Sequence, residues 1–319
     1  MRALVCHSLS ADRSGTSVVA DYPEPPPPGP GEVTVAMRVA ALNYPDLLML
    51  SGGYQLKPAV PFVPGVEGAG VIVAAGEGVA GELIGERVIV GARQGCLAER
   101  LTLPLANVRS VPDGLHDAEA AGFTVGALTA WVGLAVRGRL LAGERVLVLG
   151  AGGGMGWAAV RLAKALGAVV IAATSDADKA DALRGAGADE VVVIDRAAPV
   201  FEARDIDVVF DPVGGALVMP ALRMLRWGGR YLVIGFTGGA PVAVPLNRLL
   251  LKGIEIVGVR AGEAGRQDSA AGVEHLARID ALAGALRPHI GMTLPLARVD
   301  EGFAALAAGR VMGKVVVEF

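Results

Sequence analysis

The chain has little cysteine. Its 319 residues include two cysteines, Cys6 and Cys96, which are not in C-x-x-C spacing. A disulfide framework or a cysteine-rich zinc lobe requires more cysteines at closer spacing, so both are excluded. We expect both thiols to be buried or without a chemical role.

The chain also lacks long hydrophobic runs and an excess of basic residues. Although 53% of the residues are hydrophobic, no continuous apolar run reaches the roughly 18 residues that indicate a membrane-spanning helix. The net charge of −3 offers no attraction to nucleic acid or to an anionic membrane. The amino terminus shows no basic segment followed by an apolar stretch. We therefore expect a cytoplasmic protein without a membrane or nucleic-acid partner.

The first part of the chain has the pattern of a β-rich domain. Glycine and proline separate short apolar or alternating stretches, which we predict to be strands: Arg2 to Val5, Val33 to Ala41, Ala69 to Ala75 and Arg87 to Val90. Helical periodicity is scarce there. The proline-rich stretch from Tyr22 to Gly31 is predicted to be a stiff connector.

From about Thr124 strands alternate with helices, which is typical of a parallel sheet covered on both faces. The predicted strands here are Arg145 to Leu149, Val169 to Ala173, Glu190 to Ile194, Asp207 to Phe210, Arg230 to Gly235 and Ile254 to Val259. The last stretch, of about 55 residues, is short for an independent domain. We therefore predict an α/β protein with a β-rich domain over 1–123, a doubly wound domain over 124–260 and a return segment over 261–319 that completes the first domain.

A glycine-rich turn follows the first strand of the alternating region. The strand ending at Gly150 leads into Ala151-Gly152-Gly153-Gly154-Met155-Gly156 and then a helix, with the A-x-G-x-x-G register on Ala151, Gly153 and Gly156. Glycines here allow a tight turn, a close approach of a pyrophosphate and close packing of helix on strand. We predict a dinucleotide site with contacts from Gly152, Gly153, Gly154 and Met155; the alternative is a tight turn without a ligand.

The cofactor preference depends on the end of the second strand. An Asp or Glu expected there would hold the ribose hydroxyl of NAD, but the register gives Ser175. Serine can donate to a 2′-phosphate and Lys179 can add positive charge, which favours NADPH. In the alternative, Ser175 or Asp176 caps the next helix, Asp176 takes the acid's role, and Lys179 is a solvated surface residue.

Four segments together resemble the medium-chain dehydrogenase/reductase superfamily, in its quinone oxidoreductase (zeta-crystallin-like) branch. They are PGVEGAG (64–70), VLVLGAGGGMG (146–156), DVVFDPVGG (207–215) and LLLKGIEIVGV (249–259). The resemblance covers nearly the whole chain. It implies a GroES-like catalytic domain formed by both ends of the chain, with a Rossmann NADP-binding domain between them.

The resemblance also indicates that the chain lacks the family's catalytic zinc. Zinc-dependent relatives carry a histidine before the glutamate of the segment matching PGVEGAG, and a cysteine upstream. This chain has Val66 before Glu67, and no cysteine in the stretch from Ala41 to Asp46. Without a Lewis acid, hydride transfer suits acceptors whose product anion is already delocalised, such as quinones and α,β-unsaturated carbonyls.

The resemblance suggests roles for further residues. Asn43 matches an asparagine beside the nicotinamide, whose amide can donate to a substrate or cofactor oxygen or close a turn. Tyr54 could donate a proton from a loop or simply pack, and Asp46 is expected to anchor its loop rather than act as a base. Further positions match the cofactor site: Thr129, Gly214, Phe236, Thr237 and Asn247. For Phe236 an ordinary core position is the alternative, and Asp211 is expected to be a loop anchor.

Two positions depart from the family pattern. A tyrosine frequent after the third Rossmann strand is replaced at about Ile194, which weakens the case for NADPH. Arg260 stands where relatives often have an aromatic residue, and a salt bridge to Glu255 or Glu263 is its expected role.

The sequence leaves three functions open: NADPH-dependent reduction of a quinone, reduction of the C=C bond of an enone, alkenal or enoyl-CoA, and NADPH binding without turnover. The family implies a homodimer paired through the edge strand Gly253 to Val259.

Overall fold

The computed structural model describes residues 1–195, 199–201 and 204–319. The strands are β1 Ala3–Cys6, β2 Thr16–Val19, β3 Glu32–Leu42, β4 Glu67–Ala75, β5 Arg87–Gly91, β6 Arg100–Pro104, β7 Val108–Ser110, β8 Arg145–Val148, β9 Val169–Thr174, β10 Glu190–Val193, β11 Ile206–Asp211, β12 Leu225–Val233, β13 Glu255–Gly258, β14 Ile290–Pro295 and β15 Lys314–Glu318. The α-helices are α1 Tyr44–Leu50, α2 Asp117–Ala130, α3 Gly154–Ala165, α4 Ala180–Gly185, α5 Val218–Met224, α6 Leu246–Lys252, α7 Ala261–Gln267, α8 Ser269–Ala281 and α9 Val299–Ala307, and a π-helix spans Trp131–Arg137.

The chain divides into two compact units. The first comprises Met1–Thr124 and Ile290–Phe319, and the second comprises Val125–His289. The predicted boundary between residues 260 and 261 is therefore wrong, because residues 261–289 pack within the second unit. Trp157 and Arg161 of α3 show the reason: their side chains donate to the carbonyls of Arg287 and Ala285. Only the stretch from Ile290 returns to the first unit.

The first unit is built on a seven-stranded sheet in the order β14-β15-β3-β4-β5-β7, with β6 paired to β3. The closing strand β15 runs antiparallel to β3, with Val316 opposite Ala41. The sheet packs on a core of apolar side chains that includes Val35, Ile72 and Phe303. Helix α1 was missed from the sequence because its seven residues are too few to show a helical period.

The second unit contains a six-stranded parallel sheet in the order β10-β9-β8-β11-β12-β13. Val146, Ile171 and Val209 are fully buried in its central strands, as expected for a sheet covered on both faces. The chain runs outward from β8 to β10 and then crosses back to β11. The strand order thus reverses between β8 and β11, where open sheets of this type bind ligands outside the carboxyl ends of their strands.

A continuous helical segment spans Asp117–Arg137, made of α2 and the π-helix. Its mean hydropathy of 1.4 and its 21 residues make it long and apolar enough to cross a membrane by length and composition. The segment is not evident as one apolar run in the sequence because charged and small residues interrupt its apolar positions. Its most apolar window is 56% buried within the fold, and core helices of other proteins can be equally long and apolar.

Candidate cofactor and catalytic site

The glycine-rich turn joins β8 to α3 as the fingerprint predicts. A Cβ at Gly156 would lie 2.3 Å from the Gly150 carbonyl oxygen, so the helix can approach the turn only because position 156 has no side chain. Gly153 is exposed, and the nearest atom to a Cβ there is 3.5 Å away. The turn therefore leaves open space in front of the N-terminus of a 12-residue helix, where unpaired N–H groups favour phosphate oxygens. Gly154 and Met155, in the first turn of α3, are half-buried, whereas Gly152 is buried.

The loop after β11 is held by Asp211. One carboxylate oxygen of this buried residue accepts the backbone N–H groups of Val213 at 2.7 Å and Gly214 at 2.8 Å. These bonds confirm the expected loop-anchoring role. They hold Gly214 at φ +69°, a backbone conformation that disfavours other residues.

Phe236 and Thr237 follow β12 and lie against the same loop. A Cβ at Gly214 would lie 3.1 Å from the Phe236 ring, and the Thr237 hydroxyl donates to the Pro212 carbonyl at 3.1 Å. Phe236 is 46% exposed, so the alternative of an ordinary core position is wrong. The exposed ring of Phe236 is thus placed beside the carboxyl ends of β11 and β12.

The segment after β9 carries the residues expected to select the cofactor. Ser175 is exposed, and Asp176 caps the short turn by accepting the Asp178 N–H at 3.1 Å. Lys179 is buried and places its ammonium 3.7 Å from the Asp176 carboxylate, so it is not the solvated lysine of the alternative interpretation. The positive charge of Lys179 is therefore partly balanced by the negative charge of Asp176.

A buried polar cluster joins β3, α1, β4 and β15 in the first unit. The Lys314 ammonium lies 2.6 Å from the Glu67 carboxylate and 2.7 Å from the Asn43 side-chain oxygen. The Asn43 amide nitrogen donates to Glu67 at 3.0 Å and to the Ala41 carbonyl at 3.2 Å. All three side chains are buried. Both N–H bonds of the amide are therefore in use, and the expected donation from Asn43 to a ligand would require one of them to break.

Asp46 fixes the start of α1. Its carboxylate accepts the backbone N–H of Asn43 at 2.8 Å and that of Gly65 at 3.2 Å, which confirms the expected anchoring of the loop. Burial raises the pKa of Asp46 to about 7, with a further contribution from the negative charge of Glu67, while the N–H donors and Lys314 act in the opposite direction. Burial also raises the pKa of the Cys96 thiol. Both cysteines are buried, as predicted.

Four other candidates lie outside these clusters. Tyr54 is half-buried against the core of the first unit, and Thr129 lies half-buried in α2. Asn247 is exposed in the first turn of α6. Arg260 caps α7, and its guanidinium lies 3.6 Å from the Glu263 carboxylate, which confirms this expected salt bridge. The expected alternative, a salt bridge to Glu255, is wrong because Glu255 pairs with Arg139.

Over the described ranges, no group of three or more His, Cys, Asp or Glu side chains has the arrangement of a metal site. Val66, which the resemblance matched to a histidine ligand of zinc-dependent relatives, is half-buried next to Glu67 in the chain.

Sequence reasoning missed Lys314 and Tyr231. Lys314 is a single cation at the start of an apolar strand, K-V-V-V-E, and this isolated charge was a signal for a buried partner. The Tyr231 hydroxyl donates to Asp211, a contact that no local pattern reveals because 20 residues separate the pair.

Comparison with known proteins gives matches along the chain. Residues 29–132 match the alcohol dehydrogenase GroES-like domain family, and residues 154–278 match the zinc-binding dehydrogenase family. Quinone oxidoreductase-like protein 2 of Rattus norvegicus is 32% identical, over 99% of this chain and 91% of the relative. The synaptic vesicle membrane protein VAT-1 homolog of Homo sapiens is 31% identical, over 92% of this chain and 80% of the relative. The quinone oxidoreductase of Thermus thermophilus, solved alone and in complex with NADPH, matches with a TM-score of 0.85 and 31% identity over 100% of both chains.

Proposed function

This chain belongs to the medium-chain dehydrogenase/reductase superfamily, in its quinone oxidoreductase branch, and we propose that it transfers hydride from NADPH to a quinone. The observation that carries the proposal is the open turn at Gly153, in front of the N-terminus of α3 and beside the point where the strand order reverses. When bound, NADPH supplies the hydride. The residues of the chain bind and orient it, and they exclude competing reactions.

The second unit offers groups for each part of the cofactor. Backbone N–H groups of Gly154 and Met155 would meet the pyrophosphate. Gly152 and Gly153 would complete the turn, where the Gly153 N–H donates to the Gly150 carbonyl at 3.0 Å and the missing side chain of Gly153 leaves room for the phosphates. Ser175 and Lys179 would meet the 2′-phosphate, whose attraction to Lys179 must exceed its repulsion from Asp176. By resemblance, further contacts are assigned to Thr129, Gly214, Phe236, Thr237 and Asn247.

We propose that the reaction needs no zinc. The support is that, by the resemblance, Val66 stands where zinc-dependent relatives have a histidine ligand, that the stretch from Ala41 to Asp46 has no cysteine, and that the Glu67 carboxylate is engaged by the Lys314 ammonium at 2.6 Å. A quinone accepts hydride without a Lewis acid because the resulting anion is delocalised, and a proton from a donor or from water completes the hydroquinone. Tyr54 is the candidate donor, since its hydroxyl has no hydrogen-bond partner within the described part of the chain.

Two alternatives use the same groups. Reduction of a C=C bond conjugated to a carbonyl also produces a delocalised enolate, so a reaction without zinc would suit it equally. NADPH binding without turnover requires only the residues of the second unit.

The experiment that separates these functions is an acceptor panel. Purified protein with NADPH is presented with 1,4-benzoquinone, an enone, an alkenal and an enoyl-CoA, and the products are identified while absorbance at 340 nm is followed. We expect hydroquinone to form with the highest kcat/KM. A saturated carbonyl product formed faster than hydroquinone would favour the C=C reductase, and bound NADPH without any product would favour the binding protein.

We also propose a homodimer paired through β13, which lies at the edge of the sheet. Exposed large apolar side chains lie on α6, which precedes β13 in the chain, and on β12, which pairs with β13: Leu246, Leu250, Leu251 and Trp227. Exposed apolar side chains on elements next to an unpaired strand edge support an interface there. We expect a dimer at micromolar concentration by light scattering. Leu250→Glu should produce monomers, whereas Val273→Glu, on exposed α8, should not; a monomeric wild-type protein would rule the pairing out.

A cytoplasmic location remains a prediction. One relative is named a vesicle membrane protein, and the helical segment Asp117–Arg137 is, by length and composition only, long and apolar enough to cross a membrane. Fractionation of cells that express the chain tests the location: recovery in the membrane pellet after a high-salt wash would contradict it.

A further inference from the structure

The partners of Asn43 fix the orientation of its carboxamide. An ammonium can only donate hydrogen bonds and an ionised carboxylate can only accept them. The atom 2.7 Å from Lys314 must therefore be the amide oxygen, and the atom 3.0 Å from Glu67 must be the amide nitrogen. A flipped amide would place NH2 against the ammonium and oxygen against the carboxylate, with two repulsive contacts in place of two bonds.

Lys314 and Glu67 also hold each other in place. Their ion pair at 2.6 Å is buried, so the loss of either partner leaves an uncompensated charge in the core. The aliphatic part of Lys314 crosses Gly122 of α2, where a Cβ would lie 3.3 Å from its Cγ and Cε atoms. Space for the lysine stem thus depends on a glycine in the facing helix.

The hydrogen-bonding capacity left to Asn43 is that of an acceptor. Both amide N–H bonds are used, by Glu67 and by the Ala41 carbonyl. The side-chain oxygen accepts one bond from Lys314. The backbone N–H of Asp46 also faces the Asn43 side chain in a capping box, but its hydrogen bond goes to the Asn43 backbone carbonyl at 3.0 Å. An amide oxygen has two lone pairs, so one remains.

We propose that Lys314 and Glu67 are positioning residues that lock the Asn43 carboxamide, so that Asn43 meets its ligand as a hydrogen-bond acceptor and not as a donor. The inference rests on the proposed function, which brings a ligand to Asn43. The ligand group facing Asn43 then carries an N–H or O–H, such as a primary carboxamide or a hydroxyl. A carbonyl oxygen that gains negative charge during reduction is not stabilised by Asn43 and takes its hydrogen bonds from another donor.

A polarity swap tests the proposal. Asn43→Asp alone places two carboxylates side by side in the core and should lower the Tm by several degrees. Adding Glu67→Gln restores a donor opposite the new carboxylate and keeps one negative charge for Lys314, so the Tm should recover. The double variant retains an acceptor at position 43 and has no donor there.

NADPH affinity and kcat/KM for 1,4-benzoquinone distinguish an Asn43 that accepts a hydrogen bond from one that donates. Asn43→Leu, which leaves the Lys314–Glu67 pair intact, should reduce NADPH affinity or kcat/KM for 1,4-benzoquinone about tenfold, because the acceptor is lost. The folded double variant should retain both quantities within about threefold of wild type. If the folded double variant is as defective as Asn43→Leu, Asn43 acts as a donor. If Asn43→Leu has no effect, Asn43 contacts neither NADPH nor the quinone. Either result overturns the proposal.

A second measurement covers the case in which the variants fail to fold. In the 15N-labelled wild-type protein, both side-chain amide protons of Asn43 should exchange slowly, and they should keep their acceptors, the Glu67 carboxylate and the Ala41 carbonyl, when NADPH is added. Rapid exchange of either proton, or a new hydrogen bond from either N–H group to NADPH, would contradict the locked orientation. If the wild-type protein neither binds nor oxidises NADPH, the proposed function fails, whereas the amide exchange and the stability cycle still test the orientation.

Discussion

The phenol hydroxyl of Tyr231 donates a hydrogen bond to the Asp211 carboxylate, and both side chains are 2% exposed. The second carboxylate oxygen of Asp211 accepts two backbone N–H groups of the loop that follows β11. Burial raises the pKa of Tyr231 and that of Asp211. Tyr231 on β12 thus orients the carboxylate that shapes the loop around Gly214.

Tyr231→Phe should loosen this loop. Removal of one partner leaves a buried carboxylate oxygen without a donor, so the free energy of unfolding should fall by about 1–3 kcal/mol. NADPH affinity should fall about tenfold if Gly214 contacts the cofactor, since the loop loses its fixed conformation. Chemical denaturation and fluorescence titration measure the two effects. Tyr22→Phe is the matched control, because the Tyr22 hydroxyl has no recorded partner in the described chain; equal effects of both substitutions would contradict the assigned role.

Asp46 should make stability depend on pH near neutrality. Its pKa rises from 3.8 to about 7 on folding, chiefly because burial disfavours the charged form. The folded state therefore binds the proton more tightly than the unfolded state, and stability falls as pH rises from about 4 to 7, by at most about 1.4 kcal/mol per pH unit. Above the folded pKa this contribution is constant.

Urea unfolding at a series of pH values tests the dependence on Asp46. Asp46→Asn has a similar volume and does not titrate, although it loses one accepted N–H bond at every pH. The wild-type advantage over Asp46→Asn should decrease between pH 4 and 7 and then level off. Parallel profiles would show that Asp46 keeps the same charge in both states.

Two glycines of the β8–α3 turn should respond differently to alanine. Gly156→Ala places a methyl group 2.3 Å from the Gly150 carbonyl oxygen, so the helix must shift and stability should fall by about 1–3 kcal/mol. Gly153→Ala meets nothing closer than 3.5 Å, and its backbone angles of φ −84° and ψ 166° suit alanine. Stability should be retained there, while the methyl group blocks the pyrophosphate and weakens NADPH binding at least about tenfold. Unchanged NADPH affinity in a stable Gly153→Ala protein would place the cofactor elsewhere.

Lys179 should select NADPH over NADH. Lys179→Met removes the cation and leaves Asp176 facing the 2′-phosphate, so NADPH affinity should fall about tenfold while NADH affinity is unchanged. Lys164→Met, which removes an exposed lysine of α3 paired with Asp189, is the control and should change neither affinity. Equal losses for both cofactors would indicate a structural role for Lys179.

The parallel sheet and its glycine turn could be predicted because their signals are local. The buried strand before Ala151, the spacing of the glycines and the helix after them lie within one stretch of sequence. A strand, a glycine-rich turn and a helix in this order are typical of a dinucleotide-binding βαβ unit. The pairing of the carboxyl-terminal strand β15 with β3 agrees with the resemblance, which implies a domain formed by both ends of the chain.

The remaining features depend on contacts between residues far apart in sequence. The pair of Lys314 and Glu67 spans 247 positions, and it is the basis of our proposal that Asn43 accepts a hydrogen bond from its ligand. The segment 261–289 was assigned to the wrong unit because its contacts, such as Arg161 with the Ala285 carbonyl, join positions 124 residues apart. Phe236 was given a core alternative because hydrophobicity alone does not reveal exposure at the end of a strand.

The most direct test of the account is NADPH oxidation with 1,4-benzoquinone before and after removal of metals. The protein is dialysed against EDTA and 1,10-phenanthroline, its zinc content is measured, and kcat is determined with and without added zinc. We predict less than one zinc per ten chains, as expected for a site without metal ligands, and a kcat that neither chelation nor zinc changes by more than about twofold. Loss of turnover on chelation, with recovery on addition of zinc, would contradict the zinc-independent hydride transfer proposed for this chain.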